Sequence, residues 1–222
     1  MVSLVDFIPI LHQRTHVLIT QDLMGLLAVK NPHFNLGIGK RQVKASLENA
    51  VQELMHSSFQ GIDKVLEQQE SWSETMALLI GHNTTANWIL LEPLINDISM
   101  CCALFVKITQ ARSIRLSLKV VNHDACQKFH IDGYAYRLLC SYCGPGTEWT
   151  YNDNVRRKLL GEGENEDIIK DWSRIERIAT YDIAVLKGEL PRQRTGKGIV
   201  HRSPPVSQTG EKRLVLRIDY SS

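Results

Sequence analysis

Aromatic residues are scarce in this 222-residue chain, at 7%, and neither a segment of biased composition nor a fixed-period repeat is visible. Glycine and proline together contribute only 21 residues. These shortages exclude a collagen-like fibre, a repeat array and a low-complexity chain. A composition of 43% hydrophobic and 23% charged residues is that of a globular chain long enough to bury one sizeable core. The longest apolar stretch, residues 88–108, is broken by Glu92, Pro93, Asp97 and Lys107. A bilayer centre penalises such residues heavily, so no membrane span is expected. The opening segment MVSLVDFIPILHQ has neither a basic start nor a small-residue cleavage site, and no secretory leader is expected. Five cysteines, with Cys101 and Cys102 adjacent, make a poor disulfide framework and suit a reducing cytoplasm.

The net charge is +2, but the halves differ: residues 1–111 hold 7 Lys/Arg and 10 Asp/Glu, the remainder 19 and 14. Between residues 187 and 217, eight basic residues stand against two acidic ones. That favours an anionic ligand locally, over too short a stretch to indicate nucleic acid.

Periodicity also divides the chain. Over residues 40–70, Val43, Leu47, Val51, Leu54, Met55, Phe59, Ile62, Val65 and Leu66 recur at intervals of three and four, which predicts one amphipathic helix. A second helix is expected at 73–81. A third, apolar nearly all round and therefore buried, is expected at 86–111, with Pro93 kinking it or marking its first turn. After Ala111 the period becomes two: Ile114, Leu116, Leu118 and Val120 alternate with Arg115, Ser117 and Lys119, the pattern of a half-buried strand. Further strands are expected at 134–142, 183–187, 198–202 and 213–219, with a turn at Cys143-Gly-Pro-Gly146. Helices first and strands afterwards define an α+β chain, with a mostly helical layer (1–111) on an antiparallel sheet or barrel (112–222), most simply as one continuous domain. Residues 161–167, acidic and aperiodic, read as a mobile loop, either a lid or solvated surface.

The densest chemistry lies in residues 122–132. On an extended segment His130 and Asp132, two apart, present imidazole and carboxylate on one face. His201, the only histidine downstream, offers a third donor. Two histidines and a carboxylate form the facial triad of non-haem Fe(II) oxygenases, which leaves positions open for cosubstrate and O₂. If the cosubstrate is 2-oxoglutarate, its far carboxylate needs a cation. Arg213, returned by a hairpin through residues 203–212, supplies a bidentate fork, and Arg217 on the same strand face is the alternative. A competing site is zinc held by Cys140 and Cys143, in a C-x2-C-G arrangement, with Cys126, His123 or His130 completing it. Arg192, Arg194 and Lys197 read as a solvated loop or an anion funnel. Trp88 and Trp149 are better assigned to the core than to substrate stacking, and His12, His16, His33, His56 and His82 show no ligand spacing.

The strings Cys126-x3-His130-x-Asp132, Arg137-Leu-Leu-Cys140-x-Tyr142-x-Gly144-Pro-Gly-Thr147-x-Trp149, Leu186-Lys-Gly-Glu189 and Val200-His-Arg-Ser-Pro-Pro205 resemble a bacterial family defined as a domain of unknown function. The resemblance is strong over residues 120–219 and weak over the helical half. It implies a double-stranded β-helix (jelly-roll, cupin-like) similar to that of Fe(II)/2-oxoglutarate oxygenases, prolyl hydroxylases especially. His130, Asp132 and His201 then match the metal triad, Arg213 the 2-oxoglutarate clamp, and Tyr142 a tyrosine beside that cosubstrate. The spacing from His201 to Arg213 is longer than that pattern's. The usual gene neighbours of the family imply a link to zinc homeostasis and metallochaperone GTPases. Two functions follow: a dioxygenase hydroxylating a small-molecule or protein substrate, or a non-catalytic metal-binding protein handling zinc.

Overall fold

A computed structural model describes residues 16–69, 71–124, 126–190 and 196–220. The opening segment, His12, Arg192 and Arg194 lie outside the described residues. In chain order the elements are β1 (Val17–Thr20), β2 (Leu36–Gly39), α1 (Ala45–His56), β3 (Ile62–Glu67), α2 (Trp72–Gly81), α3 (Trp88–Thr109), β4 (Ser113–Val121), β5 (Tyr136–Cys143), β6 (Glu148–Thr150), the single turn α4 (Asn165–Ile168), β7 (Ile175–Arg177), β8 (Ile183–Lys187), β9 (Val200–Arg202) and β10 (Arg213–Tyr220), with short 3₁₀ turns between some of them. Seven strands form a mixed sheet in the order β1-β2-β8-β5-β10-β4-β3, in which only β1 and β2 run parallel. A second antiparallel sheet has the order β7-β6-β9.

The two-residue alternation of β4 and β10 makes two different faces of the large sheet. Ile114, Leu116, Leu118, Leu214, Leu216 and Ile218 pack with Leu54, Met76, Leu94, Ile98 and Phe105 of the helices into one core. The opposite face contributes Leu36, Ile38, Leu139, Ala184 and Leu186 to a second core, closed by Trp149 of the small sheet and by Ile178 and Ile199. The chain is therefore α+β, with helices on one side of the large sheet and a small sheet on the other. Helix α3 is the one described helix long and apolar enough to cross a bilayer, and here its apolar residues Leu91, Leu94, Ile98 and Phe105 are fully buried in the first core. Asn87 caps its start by accepting from the Ile89 N–H at 3.0 Å. Pro93 is accommodated inside the helix.

Strands β8 and β10 fall where strands are expected, at 183–187 and 213–219. The helix expected over 40–70 does not survive intact: α1 stops at His56, Gly61 turns the chain with φ +84°, and Ile62–Glu67 runs as an edge strand against β4. The apolar spacing there fits both periods, and the β4 edge, which needs backbone partners, decides for the strand. The first half also supplies β1 and β2, which carry no helical signal and only four residues each. Trp88 is 65% exposed rather than buried, whereas Trp149 is in the core at 3%. Residues 161–167 are not a free loop. They turn into α4, where Asn165 accepts from the Phe129 N–H (2.8 Å) and donates to the Gln127 carbonyl (2.9 Å), and Glu164 pairs with Lys128.

Candidate metal centre

The segment after β4 is laced to the segment after β9. Asp124 accepts from the backbone N–H groups of Val206 and Ser207 at 2.7 and 2.8 Å, and the Cys126 carbonyl accepts from Ser203 N–H. His130 and His201 then exchange both backbone hydrogen bonds, at 3.0 and 3.1 Å, as directly opposed residues. Opposed residues share a face, and the two rings lie 4.6 Å apart between centroids. Asp132, two residues on, returns to that face. Its carbonyl is held by the Glu189 N–H, and Gly188 admits this approach: a Cβ on Gly188 would sit 2.3 Å from the Asp132 oxygen.

The hydrogen bonds assign the imidazole tautomers. His130 Nδ1 donates to the Lys128 carbonyl at 2.9 Å, and His201 Nδ1 approaches the Ile199 carbonyl at 3.3 Å. Both Nε2 atoms are thereby turned toward Asp132, at 3.5 Å from Oδ1 and 3.4 Å from Oδ2. Backbone-anchored Nδ1–H with a free Nε2 is the arrangement expected of metal-binding histidine. Among the described residues this is the group of three whose donor atoms, one from each residue, all lie within 4.8 Å of one another. Burial pushes the His201 imidazole down to about 4, which keeps it neutral and able to donate its lone pair. Burial pushes the Asp132 carboxyl up, but the His130 hydrogen bond, His201 and Arg137 outweigh it and hold it at about 2. For His130, burial is outweighed by Asp132 and the Lys128 carbonyl, and its pKa rises. Asp132 Oδ2 is buried without a hydrogen bond. Two backbone-anchored imidazoles and an ionised carboxylate with an orphaned oxygen are the donor set of a divalent cation, whose binding displaces any proton from the His130 Nε2.

The sequence reading passed over Arg137. From β5 its Nη1 binds Asp132 Oδ1, while Nε and Nη2 grip Asp219, which is fully buried on β10. It fixes the carboxylate's orientation from behind. The available signal was parity: Arg137 lies two residues from Leu139, on the strand face that turns away from the helices.

Parity also separates the other expected residues. A cleft of about 340 Å³ opens between the sheets, walled by His130, His201, Arg137, Leu139, Arg213 and Val215 among others. Arg213 reaches into it from β10, 2% exposed, with only the Ser141 and Thr147 hydroxyls near Nη2 (3.2 and 3.5 Å) and no partner for Nε. Burial, with Arg177 adding, pushes its pKa down to about 10. Arg217 lines the same cleft but lies 3.2 Å from Asp219. No hairpin carries Arg213 there, because β9 and β10 belong to different sheets and residues 203–212 cross between them.

Tyr142 is not in the cleft. It shares the helix-facing side of β5 with Leu138 and Cys140, is 1% exposed, and donates to Asp97 Oδ2 at 2.6 Å. The expected cysteine site is likewise not assembled. Cys140 faces the helices against Arg41 and the Tyr181 carbonyl, a bulge at the end of β5 swings Cys143 toward the same core, and Cys126 lies on the cleft side. No described group of three potential metal donors includes a cysteine.

Fold and site together define an α+β protein with a two-histidine, one-carboxylate centre set between two sheets. The chain belongs to the family described as "Protein of unknown function (DUF1826)", whose model matches residues 20–219. No curated protein matches it. Among solved structures it is similar to the dioxygenase for auxin oxidation of rice (10% identity, 90% of this chain and 78% of that one, TM-score 0.49). It is also similar to a Pseudomonas putida prolyl-4-hydroxylase (11%, 90% and 93%, TM-score 0.45). A third similar structure is the dioxygenase for auxin oxidation 1 of Arabidopsis thaliana in its 2-oxoglutarate complex (9%, 92% and 91%, TM-score 0.49).

Proposed function

We propose that this protein is an Fe(II)- and 2-oxoglutarate-dependent oxygenase on a double-stranded β-helix, with His130, Asp132 and His201 as metal ligands and Arg213 as the cosubstrate clamp. One observation carries the reading: three anchored donors converge, and the two histidines among them line the same cleft as a buried arginine that makes no ion pair among the described residues. A buried cation without a counter-charge is costly, and a dicarboxylate that reaches the metal with its keto-acid end puts its far carboxylate on that fork. The five cysteines, all unpaired, fit a cytoplasmic setting.

When bound, Fe(II) supplies the activation of O₂ that converts R–H, 2-oxoglutarate and O₂ into R–OH, succinate and CO₂. The chain contributes position and charge. Asp132, held ionised by its neighbours, offsets the metal's charge. Arg137 keeps that carboxylate from rotating, and the Nδ1 bonds of both histidines fix which nitrogen faces the ion. Leu139 and Val215 form apolar walls of the cleft. No side chain needs to act as general acid or base.

Anaerobic titration with Fe(II), followed by a succinate assay with 2-oxoglutarate and O₂, tests the reading. One metal per chain and O₂-dependent succinate are expected, and His201→Ala abolishes metal binding. Full metal stoichiometry in His201→Ala overturns the ligand set. Zinc retained at one per chain without 2-oxoglutarate binding favours the non-catalytic alternative.

A further inference from the structure

His130 lines two clefts, and Asp132 lines the second of them. The second, about 520 Å³, is lined on the far side from Arg213 by Ile131, Leu160, Arg157 and Glu189 as well as by these two ligand residues. Anything bound there lies against the candidate metal centre without competing for the Arg213 cleft.

Its polar groups are unusual in how they are left. Arg157 spends Nη2 on the Asn152 side chain (2.6 Å) and the Gly198 carbonyl (2.8 Å), which fixes the guanidinium. Nη1 is buried and makes no hydrogen bond. The nearest carboxylate oxygen, Glu189 Oε1, is 3.9 Å away and already accepts from the Gly198 N–H at 2.8 Å. So the pair balances in charge while both N–H groups of Nη1 stay unmet, an arrangement that favours a ligand bringing acceptor oxygens. Glu189 opposes a phosphate dianion there and attracts a cationic group instead. A ligand with a carboxylate and an ammonium on neighbouring atoms meets both residues, and Ile131 and Leu160 offer an apolar wall to whatever side chain it carries.

We propose that the second cleft is a subsite for a free α-amino acid, its carboxylate on the Arg157 guanidinium and its ammonium toward Glu189. As the assignment of the primary substrate this rests on the oxygenase reading; as a binding site it does not, so the two can fail separately.

The test is calorimetry on the full chain, metal-free and Mn(II)-loaded, with the twenty common amino acids. The tightest binder is then compared with its deaminated acid and its decarboxylated amine. The amino acid is expected to bind about tenfold or more tighter than either analogue, in the metal-free protein as well. Arg157→Gln should cost about tenfold or more in amino-acid affinity while leaving 2-oxoglutarate affinity in the Mn(II) form unchanged. Because Arg157 also ties Asn152 to Gly198, Arg157→Lys and a thermal melt accompany it, and the analogue comparison needs no variant. Absence of binding by all twenty, an acid or amine binding as tightly as the parent, or unchanged affinity in a folded Arg157→Gln overturns the proposal. Amino-acid binding without metal binding leaves this site standing and removes the oxygenase.

Discussion

Two arginines on opposite sides of the large sheet, Arg41 and Arg213, are treated in opposite ways. On the helix side, Arg41 makes a two-pronged pair with Asp97 and donates to the Tyr181 carbonyl at 2.6 Å, while Tyr142 caps the same carboxylate. Burial would lower the Arg41 pKa, but the Asp97 hydrogen bonds outweigh it and raise it. On the cleft side, Arg213 finds two hydroxyls and, among the described residues, no carboxylate within ion-pair distance; burial lowers its pKa, and the more distant Glu148 does not restore it. A charge saturated by its own protein holds the fold together; one left short is available to a ligand.

Removing one partner on each face distinguishes these roles. Asp97→Ala leaves Arg41 buried and unpaired and should cost about 3–5 kcal/mol in urea denaturation. If it costs less than the Arg213 substitution, the contrast collapses. Arg213→Met, of similar bulk and without the uncompensated cation, should leave stability unchanged or raise it by about 1–4 kcal/mol. It should also weaken 2-oxoglutarate by about tenfold or more, read by calorimetry on the Mn(II) form. Tyr142→Phe removes only the hydroxyl on Asp97, for a loss of about 1–3 kcal/mol and no change in 2-oxoglutarate affinity. A cosubstrate effect there would return Tyr142 to the cleft.

The smallest effect concerns His16, whose buried Nε2 has no hydrogen bond and which lies edge-on to Tyr151. Burial first, then Arg157, push its pKa from 6.5 to about 4. Between those values the unfolded chain takes up a proton that the folded chain refuses. Its contribution therefore lowers stability as pH falls from about 6.5 to about 4, with no further change below. His16→Gln should flatten that part of the stability profile relative to the parent, and an unchanged slope assigns the effect to other groups.

Strands were legible whether or not one face is polar, as β4, β5 and β8 show, but which side faces the helices was legible only where one face is polar. In β4 the alternation of Ile114, Leu116 and Leu118 with Arg115 and Lys119 gave both the strand and its faces. In β5 the run Leu138-Leu139-Cys140-Ser141-Tyr142 is buried throughout, so no polar face marks which side is which, and it is the family resemblance alone that implies a place for Tyr142 beside the cosubstrate. A count from Arg137 would have corrected it, since five residues along a strand reverse the face. β3 was absorbed into a helix because its apolar spacing fits both periods, and β1 and β2 are too short to carry any pattern.

What the amino-acid order determined was the identity of the donors: His130 and Asp132 two apart in an extended run, and a single downstream histidine. Convergence was decided by the tertiary structure. It comes from the two backbone bonds between His130 and His201, from Gly188 admitting the Asp132 carbonyl, and from Asp124 tying residues 206 and 207 to the same strap. Side-chain type and local parity are properties of neighbouring residues and can be read along the chain. Which distant segments lie opposite one another, and which buried charges remain unpaired, depends on how the sheets pack, and no local pattern records that.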